Sequence, residues 1–308
     1  MPALPSRGSA APAALSRAGA SPVLALVLSV ALSLVLLPAA GCTQAADPVV
    51  TGAFGARPAV VLPSGAPPSE VRVAEVVTGR GERLGSEGVA VVQHSAHRWD
   101  GRLVTSTFNR GVPAAVPLDA APWDLLAGRP AGSRVTAAAP DMFHVIDILG
   151  WHAPDAAVEA GPATVAGVRV SGGAPPAVEV PAAPPPGFAA AVLARGSGPR
   201  AETGRLLVVQ YVAVSWTRRR VVASTWERGR PEAVTMGDGS VIGGWDRALR
   251  GVPAGSRVAM VVPPGDAYGM TGGMTGGMTG GMTGGMIGAD GVEPGETLVC
   301  VGDLLGVH

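Results

Sequence analysis

The 308-residue chain offers few side chains capable of bond-making chemistry. It holds two cysteines, Cys42 and Cys300, and five histidines. His94 and His97 have a spacing at which imidazoles can hold zinc, but no second pair of ligands lies near them in sequence. A structural role is therefore expected for both, and no metal or other cofactor is expected. From Met270 to Gly285 four Met-Thr-Gly-Gly units follow one another, with Met286 after them. Their thioethers could hold Cu(I) or line an adaptable clamp for unfolded chains, but glycine at half of the positions favours a flexible linker. What remains is a set of aromatic and aliphatic residues in the C-terminal half: Tyr211, Val241, Ile242, Trp245 and Tyr268. Such a set is poor at moving protons. It can enclose an apolar group, exclude water around it and offer one or two donors.

Most of that set is positioned by one stretch, 235–269. A glycine-rich turn, Met236-Gly237-Asp238-Gly239, leads to Val241-Ile242-Gly243-Gly244-Trp245-Asp246. Trp245, Ala248, Leu249 and Val252 then recur at helical spacing, and Gly251 is placed to stop the helix in a left-handed conformation. A helix of one or two turns cannot stand alone and must lie against a sheet. The run Arg257-Val258-Ala259-Met260-Val261-Val262 supplies a buried strand, which ends in Pro263-Pro264-Gly265-Asp266-Ala267-Tyr268-Gly269.

The ordered motifs in this stretch resemble those of FKBP-type peptidyl-prolyl cis/trans isomerases. They are Val241-Ile242 ahead of Gly244-Trp245, the turn from Gly251 to Arg257, the loop from Pro263 to Gly269, and a closing strand, Thr297-Leu298-Val299. The resemblance runs from about Phe188 to Leu305. It implies an α+β fold in which an antiparallel sheet wraps on a short α-helix. It also implies catalysis of rotation about X–Pro bonds, whose barrier of ~20 kcal/mol comes from amide resonance. Such a rotation needs no acid, base or nucleophile, which agrees with an apolar site. By the resemblance the proline ring sits on Trp245, beside Val241 and Ile242, and the Ile242 N–H donates to the substrate carbonyl. Tyr211 and Tyr268 supply pocket hydroxyls, and Val222, Met236, Val292 and Cys300 form the substrate wall. The pattern departs from the family in three places. Val222-Ala223 stands where Phe-Asp is usual, Glu232 falls near a pocket Phe, and Cys300 replaces a Phe in the last strand. The wall is thinner and its usual carboxylate is missing.

The chain also contains an internal repeat. Val91-Val92-Gln93-His94 parallels Val208-Val209-Gln210-Tyr211, Trp123-Asp124 parallels Trp245-Asp246, and Gly128–Val135 parallels Gly251–Val258. Val104–Phe108 parallels Val222–Trp226, and Asp147-Ile148-Leu149-Gly150 parallels Asp303-Leu304-Leu305-Gly306. The first copy has no room for a Val-Ile pair between Leu118 and Trp123, and it omits the Tyr-Gly loop after Met142. Two FKBP-like domains are therefore expected, the first a degenerate one that packs or binds rather than catalyses. Their boundaries are 70–152 and 188–308, the second carrying the Met-Thr-Gly-Gly insert at 270–285. A flexible Pro/Ala/Gly tether, 43–69, precedes the first, and a Pro-rich linker, 153–187, joins the two. In that linker Val165–Val170 and Val178–Val180 could add edge strands.

Residues 1–42 read as a lipoprotein signal peptide. Arg7 and Arg17 make a positive start, Val23–Leu37 is apolar, and Ala39-Ala40-Gly41-Cys42 resembles a bacterial lipobox with Cys42 as the lipidated residue. An ordinary signal peptide or an uncleaved anchor are the other readings. The expected location is the extracytoplasmic face of the cell membrane, held by the lipid anchor. With Cys42 so used, no intramolecular disulfide is expected, and Cys300 reads as a small buried hydrophobe. Arg218-Arg219-Arg220 falls at a hairpin turn, solvated or resting on anionic lipid. Acidic and basic residues balance to a net charge of +0, which gives no support to nucleic-acid binding. The partners expected are unfolded or exported proline-containing polypeptides. Two functions fit: a prolyl isomerase that assists folding of exported or surface proteins, or a non-catalytic polypeptide-binding lipoprotein with a chaperone or scaffold role.

Overall fold

A computed structural model describes residues 47–239, 241–266 and 295–308. In chain order a hairpin, β1 (Val49–Thr51) and β2 (Ala59–Val61), comes first. The first repeat follows: β3 (Arg72–Val77), β4 (Val89–His97), β5 (Leu103–Ser106), α1 (Thr107–Arg110), β6 (Ala114–Pro117), a 3-10 turn (Trp123–Leu126), β7 (Arg134–Ala138) and β8 (Phe143–His152). Three short strands, β9 (Ala163–Val165), β10 (Val168–Ser171) and β11 (Ala177–Glu179), lie between the repeats. The second repeat comprises β12 (Ala189–Ala194), β13 (Leu206–Ser215), β14 (Val221–Ser224), β15 (Glu232–Thr235), α2 (Gly243–Leu249), β16 (Ser256–Val262) and β17 (Leu298–Val307).

Both repeats build antiparallel six-stranded sheets of the same order, β3-β7-β8-β4-β5 with β6 on β4, and β12-β16-β17-β13-β14 with β15 on β13. The register repeats as well. His94 pairs with Ile146 across β4 and β8, and Tyr211 pairs with Gly302 across β13 and β17.

Strand β13 is buried along its whole length because both of its faces are covered. Leu207, Val209, Tyr211 and Ala213 face the cluster around α2, while Val212 and Val214 face outward against a second cluster that includes Val165, Val168 and Val170. The three short strands between the repeats thus form a sheet of their own that roofs the second one, instead of extending its edge. Helix α2 lies close on β16, since a Cβ on Gly244 would fall 2.7 Å from Val262. Gly251 takes a φ of 74° just beyond the helix, the left-handed stop that the sequence leads one to expect.

The first repeat departs from the expected short α-helix. Its Trp-bearing segment is the 3-10 turn Trp123–Leu126, closed by Ala127 N–H on the Asp124 carbonyl. Only four residues separate Pro122 from Ala127, too few to extend an i→i+4 ladder, whereas α2 has seven. Its short α-helix, α1, stands elsewhere, after β5.

Within the stretch expected to be a flexible tether, 49–61 forms the β1–β2 hairpin, fastened by a buried ion pair. Arg134 and Asp147 meet at 2.6 Å at the outer face of the first sheet. Arg134 donates to the carbonyls of Gly52, Ala53 and Ala56, and Asp147 accepts the Gly55 N–H. The second repeat reproduces this with Arg257 and Asp303, also at 2.6 Å, where Asp303 accepts the Val158 N–H and Arg257 donates to the Gly173 carbonyl. Each repeat therefore binds the segment that precedes it. The two sheets also touch, through Val91 and Leu149 from the first and Leu206, Val208 and Leu305 from the second. Val91 and Leu149 are the repeat counterparts of Val208 and Leu305, so this contact is close to isologous.

Candidate functional site

The site is built on the inner face of the second sheet. Tyr211 on β13 stands over Trp245 of α2, with ring centroids 5.4 Å apart and planes at 78°, an edge-to-face pair. The indole lies over β17 at Gly302, where a Cβ would fall 2.7 Å from Trp245 Cη2, so a side chain there would displace the ring. Val241, Ile242, Met236 and Cys300 join Tyr211 and Trp245 in one buried cluster, with half-buried Val222 packed against it. The start of the helix is fixed twice: Trp245 N–H donates to the Ile242 carbonyl, and Gly244 N–H donates to the Asp266 carbonyl at the foot of the following loop. Tyr268 and Val292 lie outside the described residues, as do Cys42 and the Met-Thr-Gly-Gly units.

Burial pushes the Cys300 thiol up to about 12, so at neutral pH it is an uncharged sulfhydryl that packs as a hydrophobe. Burial likewise raises the Tyr211 phenol above its ordinary value, and the neighbouring Glu232 raises it further. The phenol therefore remains a donor. Its oxygen accepts a 2.5 Å hydrogen bond from Arg228, whose guanidinium also meets the Glu232 carboxylate at 2.6 Å.

Glu232 is the residue that sequence reasoning passed over. The absence of an acid at Ala223 suggested a site without its carboxylate, and Glu232 counted only as a missing pocket aromatic. Pairing of β15 with β13 sets Glu232 opposite Val209, on the same face as Tyr211 two residues further along. The carboxylate is thus delivered from another strand. Burial raises the Glu232 pKa, and the Arg228 charge opposes that shift. No local sequence signal marks this arrangement except the i,i+4 spacing of Arg228 and Glu232.

The matching face of the first repeat has a different chemistry. His94 takes the place of Tyr211 and His144 that of Cys300, as the pairings Ala96↔His144 and Ala213↔Cys300 show. The two imidazoles hydrogen-bond at 3.0 Å in nearly parallel planes, and His94 packs edge-on against Trp123. Burial, with His144 beside it, lowers the His94 pKa to about 4. His97 is not part of this pair. Three residues along a strand place it on the opposite face, where its Nε2 meets Ser95 Oγ at 3.3 Å.

An antiparallel sheet wrapped on a short helix, with an edge-to-face Tyr–Trp pair at its centre, defines a small-domain class whose central cluster is aromatic and aliphatic and not a polar triad. Comparison with known proteins places the chain within that class. The profile of the FKBP-type peptidyl-prolyl cis-trans isomerases matches residues 198–299. An FK506-binding protein of Streptomyces anulatus is 33% identical over 133 residues, 43% of this chain and 96% of that protein. A chloroplast peptidyl-prolyl cis-trans isomerase of Arabidopsis thaliana is 35% identical over 83 residues, 25% of this chain and 39% of that protein. Among solved structures, FkpA from Escherichia coli aligns at 27% identity with a TM-score of 0.32, covering 39% of this chain and 48% of its own. The chain belongs to the FKBP-type peptidyl-prolyl cis-trans isomerase family, which is a family of enzymes.

Proposed function

We propose that the second repeat, 188–308, carries the isomerase activity and that the first, 70–152, packs or binds without catalysing. The observation that carries this reading is the convergence of Tyr211, Ile242 and Trp245 on one apolar cluster, with Arg228 and Glu232 holding the Tyr211 hydroxyl. At the same positions the first repeat has a hydrogen-bonded histidine pair, which suits an apolar prolyl ring poorly. During rotation the X–Pro nitrogen loses conjugation and the amide becomes less polar. A dry, shaped pocket therefore favours the twisted state over the planar one. Trp245 would be the floor under the ring, and the Ile242 N–H and the tyrosine hydroxyls would hold the carbonyl. Tyr268 and Val292 would complete the wall.

The substrates on this reading are proline-containing polypeptides undergoing folding after export, and the enzyme is tethered by a lipid on Cys42 at the extracytoplasmic face of the cell membrane. Among the described residues no helix is long and apolar enough to cross a membrane. A second reading, a non-catalytic polypeptide-binding lipoprotein, is favoured by Ala223 and by the thin wall at Val222. Two-dimensional exchange NMR of a short X–Pro peptide with the full chain separates the two. Accelerated cis–trans exchange that Trp245→Leu removes is expected. Peptide binding without acceleration would transfer the site to the second reading.

A further inference from the structure

The segments that cover the two sheets are fastened alike but expose different surfaces. In the hairpin over the first sheet, Val49 pairs with Val61 and Thr51 with Ala59, so these four side chains share one face. All four are exposed, while Val50 and Val60 between them are half-buried. Val49 is 54% exposed and Val61 65%, and Phe54 in the connecting loop adds an aromatic ring that is 38% exposed. Between Pro48 and Pro68 the sequence holds one charged residue, Arg57. After burial, the Arg57 charge helps to lower the pKa of His97, so the guanidinium lies near the first sheet. The outward face of the hairpin therefore carries no charge. The three-stranded roof of the second sheet is the opposite. It buries Val165, Val168 and Val170 and turns Thr164, Arg169, Ser171 and Glu179 outward, with Arg169 and Glu179 paired at 3.2 Å.

We propose that the outward face of the β1–β2 hairpin, with Val49, Phe54 and Val61, is a contact surface for a lipid bilayer. The proposal rests on the reading of Cys42 as the lipidated residue. Val49 is the seventh residue after Cys42, and a chain of that length reaches about 25 Å at most. A lipid on Cys42 therefore keeps the hairpin close to the headgroups at a high effective concentration, where a small apolar surface suffices for contact. Valine and phenylalanine gain by leaving water at the boundary between headgroups and acyl chains, and no charge on this face has to be desolvated. The polar roof of the second sheet would have to strip water from Arg169 and Glu179 at the same depth. Because Arg134 and Asp147 fasten the hairpin to its sheet, a bilayer contact here sets the orientation of the first repeat as well as its distance from the membrane.

The test uses the full chain with Cys42 coupled to a maleimide-headed dioleoyl lipid, in nanodiscs of phosphatidylglycerol and phosphatidylcholine. Cys300 is buried and does not compete for the maleimide. The anchor is thus supplied whether or not cells attach one. With a nitroxide on the lipid acyl chains, the methyl NMR signals of Val49 and Val61 should broaden several-fold more than those of Val104 and Val221, which are exposed elsewhere. Val61→Ser should reduce the excess broadening at Val49 and leave the melting temperature unchanged, since the altered side chain is exposed. Broadening at Val49 and Val61 no greater than at Val104 and Val221 overturns the proposal. So does a concentration-dependent shift of the Val49 and Val61 signals without lipid, which would assign the face to a second copy of the chain. Intact-mass analysis of the chain from cell membranes tests the anchor by itself. An unmodified Cys42 there removes the lipoprotein reading, while the nanodisc spectra still decide whether the face takes lipid.

Discussion

Replacing Tyr211 by Phe isolates the one polar atom at the centre of the site. The ring keeps its edge-to-face contact with Trp245, and only the hydroxyl that accepts from Arg228 at 2.5 Å is lost. A hydrogen bond to a charged group contributes about 1.5–3 kcal/mol. The lower end applies here, because Arg228 keeps its 2.6 Å contact with Glu232 and its side chain is 46% exposed, so no buried charge is orphaned. About 1.5 kcal/mol corresponds to a fall of about 3–6 °C in melting temperature for a unit of this size. If the same hydroxyl steers the substrate carbonyl in the transition state, kcat/KM should fall about tenfold, since 1.4 kcal/mol is a factor of ten. Thermal denaturation measures the first quantity, and exchange NMR on an X–Pro peptide measures the second. A melting temperature lowered as expected, with kcat/KM unchanged, would show that the Arg228–Tyr211 bond is structural only and refute the catalytic reasoning.

Trp245→Ala should cost about 3–5 kcal/mol, because a fully buried indole leaves a cavity, while Trp123→Ala at the half-buried counterpart should cost about 1 kcal/mol and leave isomerase activity intact; denaturant titration of both variants checks the contrast. Lowered histidine pKa values mean that protons bind the unfolded chain more readily than the folded one, so stability is fully present above about pH 6.5 and lost towards pH 4, through the values of His94 and His152. Thermal melts across that window should show the decline, and His94→Phe should flatten it. Arg257→Met removes one half of a buried ion pair and should cost about 3–5 kcal/mol. It should also free the 153–187 segment for proteolysis, since Arg257 donates to the Gly173 carbonyl. Cys42→Ser should release the protein from membranes or block its processing in a fractionation experiment; unchanged retention with normal processing would remove the lipid anchor from the account.

The sequence by itself determined the repeat, the segment around Trp245 and the kind of chemistry available. Those features are local: a glycine that stops a helix, apolar residues at helical spacing, and motifs whose order can be compared within one chain. Tyr211, Val241, Ile242, Trp245, Met236 and Cys300 could be named together because each sits in such a motif. Tertiary structure decided what depends on which strand lies beside which. Glu232 reaches Tyr211 only through the register of β15 on β13, and a residue's neighbours across a sheet leave no trace in its own segment. The same reason separates His94 from His97, three residues apart on opposite faces, and joins His94 to His144 across fifty positions. The tether looked structureless, and the linker offered only candidate edge strands, because much of their order comes from outside them. Arg134 with Asp147, and Arg257 with Asp303, capture the backbone of segments too poor in apolar periodicity to fold alone.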